Sequence, residues 1–118
     1  MPDLKQQVLR GTLDLLVLKA VSAAPAHGYE IARWVERATG DTLRIEDGSL
    51  YPALYRLEER GLIDAEWRLT DDRRRAKYYG LTATGRRRLR EETVSWTQYA
   101  RAVFAALDIP MHVPPARS

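Results

Sequence analysis

Apolar side chains along residues 4–23 cover more than one face of a helix. Leu4, Val8 and Leu9 lead into Leu13, Leu15, Leu16, Val17, Leu18, Ala20 and Val21. That spread predicts a helix packed against several neighbours, capped by Thr12, preceded by a separate helical lead-in before Gly11 and ended by Pro25. Over His27–Gly40 the stripe narrows to Ile31, Val35 and Ala38, an i, i+4, i+7 pattern for a second helix closed by Gly40. Thr42–Ile45 alternates briefly, enough for one small strand. Leu50, Leu54 and Leu57 again fall at i, i+4 and i+7, which predicts a third helix with Ser49 or Gly48 as N-cap. Pro52 is tolerable in its first turn, and Gly61 supplies the left-handed stop. Leu62–Leu69 and Ala76–Leu81 alternate with period two around Thr70–Arg75, a β-hairpin with a polar, basic tip. Thr82 then caps a long helix to about Leu107, whose apolar positions Leu89, Trp96, Ala100, Val103 and Leu107 form a narrow seam of coiled-coil type. The tail from Asp108 to Ser118 holds three prolines and reads as irregular.

The order is helix, helix, short strand, helix, hairpin, long helix. This is a mainly α chain with a small β-hairpin (α+β), a winged helix-turn-helix followed by a long C-terminal dimerisation helix. Residues 1–81 make the winged head with its helical lead-in, 82–108 the dimerisation helix and 109–118 the tail. The last helix cannot bury its seam within so small a domain, so a second copy of the chain is its expected partner.

Composition narrows the function. The 118 residues are 45% hydrophobic and 30% charged, suited to one domain with a real core. No run of about 18 apolar residues offers a membrane span, and the N-terminus lacks the basic-then-apolar plan of a signal peptide. The absence of cysteine removes thiolate chemistry and fits a cytoplasmic location. Net charge is +3, unevenly spread: residues 1–43 are balanced, 44–90 carry twelve basic against eight acidic side chains, and 91–118 carry two against three. Eleven of the twelve central bases are arginine, the side chain that pairs bidentately with phosphate and guanine. His27 and His112 are the two histidines, and no zinc, phosphate-loop or nucleophile motif accompanies them. His27 reads as a capping or packing group, and neither catalysis, a metal nor a cofactor is expected.

Four separated stretches then resemble the PadR family of bacterial transcriptional regulators. They are Gly11–Leu18; His27–Ile31; Gly48–Leu54 with Leu57-Glu58 and Gly61-Leu62; and Arg73–Tyr79 with Leu81-Thr82 and Gly85. The resemblance implies a dimeric, DNA-binding, usually repressing protein, its dimer made by the N-terminal segment and the last helix. A single helix follows the wing, as in the short-tailed members, so no effector carries over from other relatives.

On this reading the third helix enters the major groove of double-stranded DNA with its N-terminal end first. Ser49, Tyr51 and Pro52 then lie nearest the bases and phosphates, Tyr55 and Arg56 one turn on, and Arg60 at the end. Arg56 is open to guanine readout or to a phosphate clamp. Arg73, Arg74 and Arg75 form the wing tip, part of their charge neutralised by Asp71 and Asp72. Lys77 is the safer phosphate contact there. Lys77 and Tyr79 share one hairpin face and Tyr78 the other, so one of the two tyrosines belongs to the core. Leu4, Val8, Leu89, Trp96, Ala100, Val103 and Leu107 form the dimer interface. Trp96 carries two readings: a packing residue of the seam, or with its symmetry mate the lining of a pocket for a small aromatic effector. Trp34 and Trp67 read as boundary or core residues. The competing function is a winged-helix module that binds protein without specific DNA binding.

Overall fold

The computed structural model describes residues 6–7 and 10–111. Its elements are β1 (Gln6–Gln7), α1 (Arg10–Ala20), α2 (Gly28–Ala38), β2 (Leu43–Arg44), α3 (Asp47–Glu59), β3 (Ile63–Leu69), β4 (Arg75–Leu81) and α4 (Ala83–Ala106). Leu4, Val8, His112 and the end of the proline-rich tail lie outside the described residues.

The core is built from the predicted stripes, except that Ala38, expected on the buried stripe of α2, is exposed in the last turn of that helix. Leu13, Val17, Leu18 and Val21 of α1 and its end meet Ile31 and Val35 of α2 and Leu50, Ala53, Leu54 and Leu57 of α3, with Ile45, Leu62, Ile63 and Tyr79 closing the sides. At about 25 cal/mol per Å² of apolar area buried, this shared core dominates the stability of the head.

Two helix ends follow the sequence closely. Gly61 adopts φ +70°. Its N–H donates to the Glu58 carbonyl at 3.0 Å and the Leu62 N–H to the Leu57 carbonyl at 3.0 Å. That pair of hydrogen bonds, the outer one joining Leu62 to Leu57, is a Schellman stop. His27 caps α2 reciprocally: the Glu30 N–H donates to His27 Nδ1 at 3.4 Å, and the His27 N–H donates to Glu30 Oε1 at 3.2 Å.

Other beginnings differ from expectation. The lead-in before Gly11 is a strand rather than a helix, because Gln6 and Gln7 pair in parallel with Leu43 and Arg44. Helix α1 begins at Arg10, so Thr12 stands inside its first turn instead of capping it. In α3 the N-cap is Glu46, not Ser49 or Gly48; Ser49 and Leu50 N–H groups both donate to the Glu46 carbonyl at 2.9 Å. Carboxylates at 46 and 47 suit the positive end of a helix dipole and let the helix start a turn earlier. Pro52 consequently lies in the second turn and leaves the Gly48 carbonyl without its usual donor.

The hairpin is in register from Ile63 opposite Leu81 to Leu69 opposite Arg75. An additional bridge, unforeseen in the sequence, joins Ala26 to Tyr79, with N–H to carbonyl distances of 3.0 and 2.9 Å in the two directions. Tyr79 is the core tyrosine, and Tyr78 packs edge-on against His27 at 5.1 Å. Trp34 is partly buried, but Trp67 is 57% exposed rather than a core residue. The hairpin outruns the core, so the face that is buried at Ile63 and Tyr79 is exposed at Trp67 and Leu69.

Helix α4 is anchored at one end. Thr82 Oγ1 accepts the Gly85 N–H at 3.0 Å and donates to the Gly61 carbonyl at 2.7 Å. Leu89 packs on the core's edge, and Glu92, Thr93 and Val94 still border grooves shared with α1. Val94, Trp96, Tyr99 and Leu107 are exposed, and Ala100, Val103 and Phe104 are half-covered.

Candidate nucleic-acid interface

The outward face of α3 is polar and aromatic. Tyr51 is 53% and Tyr55 66% exposed, and Ser49 and Pro52 are open to solvent beside them. Tyr51 is also a joint. A Cβ added at Gly28 would stand 2.7 Å from its hydroxyl and 3.0 Å from its ring, so the bare Gly28 backbone lets this ring lie against the start of α2.

The cations flanking this face are mostly held. Arg56 reaches to α1, where its Nη2 donates to Asp14 Oδ1 at 2.9 Å. Lys77 Nζ lies 3.5 Å from Glu58 Oε1 and 5.9 Å from the centre of the Tyr79 ring. Arg60, past the end of α3, lines a cavity of about 210 Å³ between α1, α3 and α4, together with Asp14, Arg88 and Glu92. It is therefore remote from the N-terminal end of α3. Burial raises the Tyr79 hydroxyl's pKa above its usual value; Lys77 opposes that shift, while Glu58 and Tyr51 add to it.

The wing tip is an ordered turn. The Thr70 N–H donates to the Arg74 carbonyl at 2.8 Å, and the Arg73 N–H to the Thr70 carbonyl at 2.9 Å. The Thr70 hydroxyl donates to Asp72, and this bond is the main cause holding the Asp72 carboxyl below the usual range. Arg74 Nε lies 3.6 Å from Asp72 Oδ2. Arg75 stacks over the Trp67 indole at 5.1 Å, and Arg68 over Tyr78 at 5.2 Å. Arg73 adopts φ +66°, a conformation that costs a residue bearing a Cβ roughly 1–2 kcal/mol relative to glycine.

The structure thus brings Ser49, Tyr51, Pro52 and Tyr55 together on α3 and sets Arg73, Arg74 and Arg75 on the hairpin end. Arg56, Arg60 and Lys77 are turned to the flanks. A further stripe went unread in the sequence: Tyr29, Arg33 and Arg37, spaced by four, share the exposed side of α2. That spacing was its available signal. A groove of about 520 Å³ separates the start of α2 from the wing, lined by His27, Tyr29, Glu30, Arg74, Arg75 and Tyr78 among others. Among the described residues no group of acidic, histidine or cysteine side chains is arranged to hold a metal, and no helix is long and apolar enough to cross a membrane.

On α4 and α1 the surface is of the opposite character. Leu15, Leu16, Leu89 and Val94 line an open groove of about 630 Å³, with Lys19, Arg90 and Thr93 at its edges. Farther along, the Trp96 and Tyr99 rings stack at 5.6 Å and 27°.

Comparison with known proteins gives a consistent result. A family model described as the transcriptional regulator PadR-like family matches residues 17–91. A transcriptional regulator of Mycobacterium tuberculosis is 33% identical over 95 residues, covering 80% of this chain and 85% of that one. The solved structure of a PadR family transcriptional regulator from Eggerthella lenta superposes with a TM-score of 0.71 at 35% identity, over 86% of each chain. A PadR-like transcriptional regulator from Bacillus cereus gives 0.71 at 27% identity, over 84% of this chain and 94% of that one. With its three core helices, its hairpin wing and its long last helix, this chain belongs to the PadR-like family of transcriptional regulators, and its work is DNA-binding regulation rather than catalysis.

Proposed function

We propose that the chain acts in the bacterial cytoplasm as a homodimeric repressor on a pseudo-palindromic operator, its half-sites about one turn (~34 Å) apart. The observation that carries this reading is the contrast between two faces of one small chain. One face presents exposed tyrosines on α3 beside an arginine-tipped wing, and the other presents the exposed apolar side of α4 with the groove of α1. A polyanion suits the first and a second copy the second. Ser49, Tyr51, Pro52 and Tyr55 contact bases and backbone; Arg73, Arg74 and Arg75 contact flanking phosphates, with Lys77 behind them. Arg56 and Arg60 act from the edges of α3, and the Tyr29–Arg33–Arg37 stripe meets the backbone that the first helix of the motif crosses. The strained Arg73 supports the wing assignment, since backbone strain persists where a side chain is needed.

Leu89, Trp96, Ala100, Val103 and Leu107 form the dimer seam, joined by Leu4 and Val8. A small flat effector seated at the paired Trp96–Tyr99 stacks changes the separation of the two heads and so loosens operator binding. The test is anisotropy titration of an operator, selected from genomic fragments that the protein retains, against a scrambled duplex at several salt concentrations. Tight operator binding, weak scrambled binding and a steep negative salt slope are expected. Equal, weak binding to both, with little salt dependence, would favour the protein-binding module instead. Val103→Glu should turn the dimer into a monomer in light scattering and abolish tight operator binding; a dimer retained in that variant would refute the seam.

A further inference from the structure

Helix α3 is an unusual helix to lay in a DNA groove, because between Asp47 and Glu59 it carries three carboxylates and a single cation, Arg56. That cation does not stand free. Its guanidinium donates to Asp14 on α1, forty-two residues away in sequence, at 2.9 Å, with the two side chains 43% and 35% exposed. The bond is single: Nη2 meets Oδ1, which leaves other N–H groups of the fork available.

We infer that Asp14 is a specificity-determining residue that withholds Arg56 from indiscriminate phosphate binding and releases it to a better-shaped acceptor. The inference rests on the operator reading above. A free arginine on this helix would bind a phosphate of any sequence, since phosphate contacts carry no sequence information. Paired with Asp14, it contributes no net charge to a chance encounter with DNA. To leave Asp14, or to use its remaining donors, the guanidinium needs an acceptor that outcompetes a carboxylate in geometry. The O6 and N7 edge of guanine is such an acceptor, because the fork matches it bidentately. Asp14 thereby lowers binding to wrong DNA more than binding to the operator. The half-exposed position of the pair makes this exchange feasible, since a pair of this kind is weak enough to break on binding.

The experiment titrates operator and scrambled duplexes with wild type, Asp14→Asn, Arg56→Gln and the double variant, at four salt concentrations. Asp14→Asn should bind the scrambled duplex roughly two- to fivefold more tightly, the range such a pair is worth. Its salt slope on that duplex should steepen by about 0.9, one phosphate's contribution. Operator affinity should rise less, so the ratio of the two falls. The double variant should bind scrambled DNA with the wild-type slope and show a weakened preference for the operator. A thermal melt of each variant establishes that it is folded, and Asp14→Glu, which keeps the charge, should restore the wild-type slope. An unchanged ratio and slope in Asp14→Asn overturn the inference, as does the same change produced by Asp14→Asn when Arg56 is already Gln. If wild type itself fails to distinguish the two duplexes, the operator reading falls first and takes this inference with it.

Discussion

Replacing Gly85 by alanine sets two physical effects of opposite sign against each other. Gly85 lies in the first turn of α4, where alanine is favoured over glycine by about 1 kcal/mol on helix propensity. The structure argues for the opposite outcome. A Cβ on Gly85 would stand 1.9 Å from the Leu62 carbonyl oxygen and 2.8 Å from Leu81 Cδ1. The Leu62 carbonyl cannot easily retreat, since it accepts the Thr82 N–H at 3.2 Å and Leu62 itself completes the stop of α3 through its bond to the Leu57 carbonyl. Relief therefore requires α4 to lift from the head, which breaks the Thr82 cap on the Gly85 N–H and its bond to the Gly61 carbonyl. Overpacking of this kind costs about 1–3 kcal/mol, towards the upper end when the obstacle is backbone, and a lost cap about 1 kcal/mol more. After the propensity gain is subtracted the net loss is about 3 kcal/mol, or roughly 10 °C in melting temperature for a chain of this size. Urea and thermal denaturation at matched protein concentration measure it, the matching being necessary because the proposed dimerisation would shift apparent stability. Gly48→Ala serves as the control: it is also helical, its Cβ would meet nothing within 4 Å, and it should gain about 0.5–1 kcal/mol. A Gly85→Ala variant as stable as wild type would refute the close approach of α4 to the Leu62 backbone.

Three other outcomes follow from local geometry. His27→Ala should cost about 1 kcal/mol in denaturant, and His27→Ser, which restores a capping oxygen but not the edge contact with Tyr78, should recover most of it; no recovery would assign His27's contribution to packing instead. Tyr79→Phe tests a pH effect whose sign is fixed by burial. The folded hydroxyl has a pKa raised above 10.0, so its contribution is intact below pH 10 and is lost as pH rises through the folded value, because the unfolded chain releases the proton first. The variant should lose less stability than wild type between pH 9 and 11, and parallel curves would contradict the assignment. Thr70→Val should raise the Asp72 pKa in a carbon-detected NMR titration, since the hydroxyl bond is the main cause of its depression; an unmoved titration would place the cause elsewhere.

The head was legible where one local rule governs one residue. Gly61 stops α3 because the left-handed position excludes a Cβ, and Leu50, Leu54 and Leu57 are buried because nothing but their spacing sets that face. It was misread where two local signals compete. Ser49 and Glu46 can both begin a helix, and Pro52 appeared to decide for Ser49; carboxylates at the dipole's positive end carried the start back a turn. Long-range partners left no local signature. The bridge from Ala26 to Tyr79 depends on the topology that brings together residues more than fifty apart, and the reading of Trp67 as a boundary or core residue could not reveal that the core ends before it. The candidate site divides in the same way. Exposure of Tyr51 and Tyr55 follows from the leucine stripe opposite them, whereas the holding of Arg56 by Asp14 and of Lys77 by Glu58 depends on which elements lie alongside. Counting arginines in the middle of the chain therefore overstated the free positive charge at α3. What separates this surface from a merely basic one is the pairing of its cations, and that pairing exists only once α1, α3 and the hairpin are packed together.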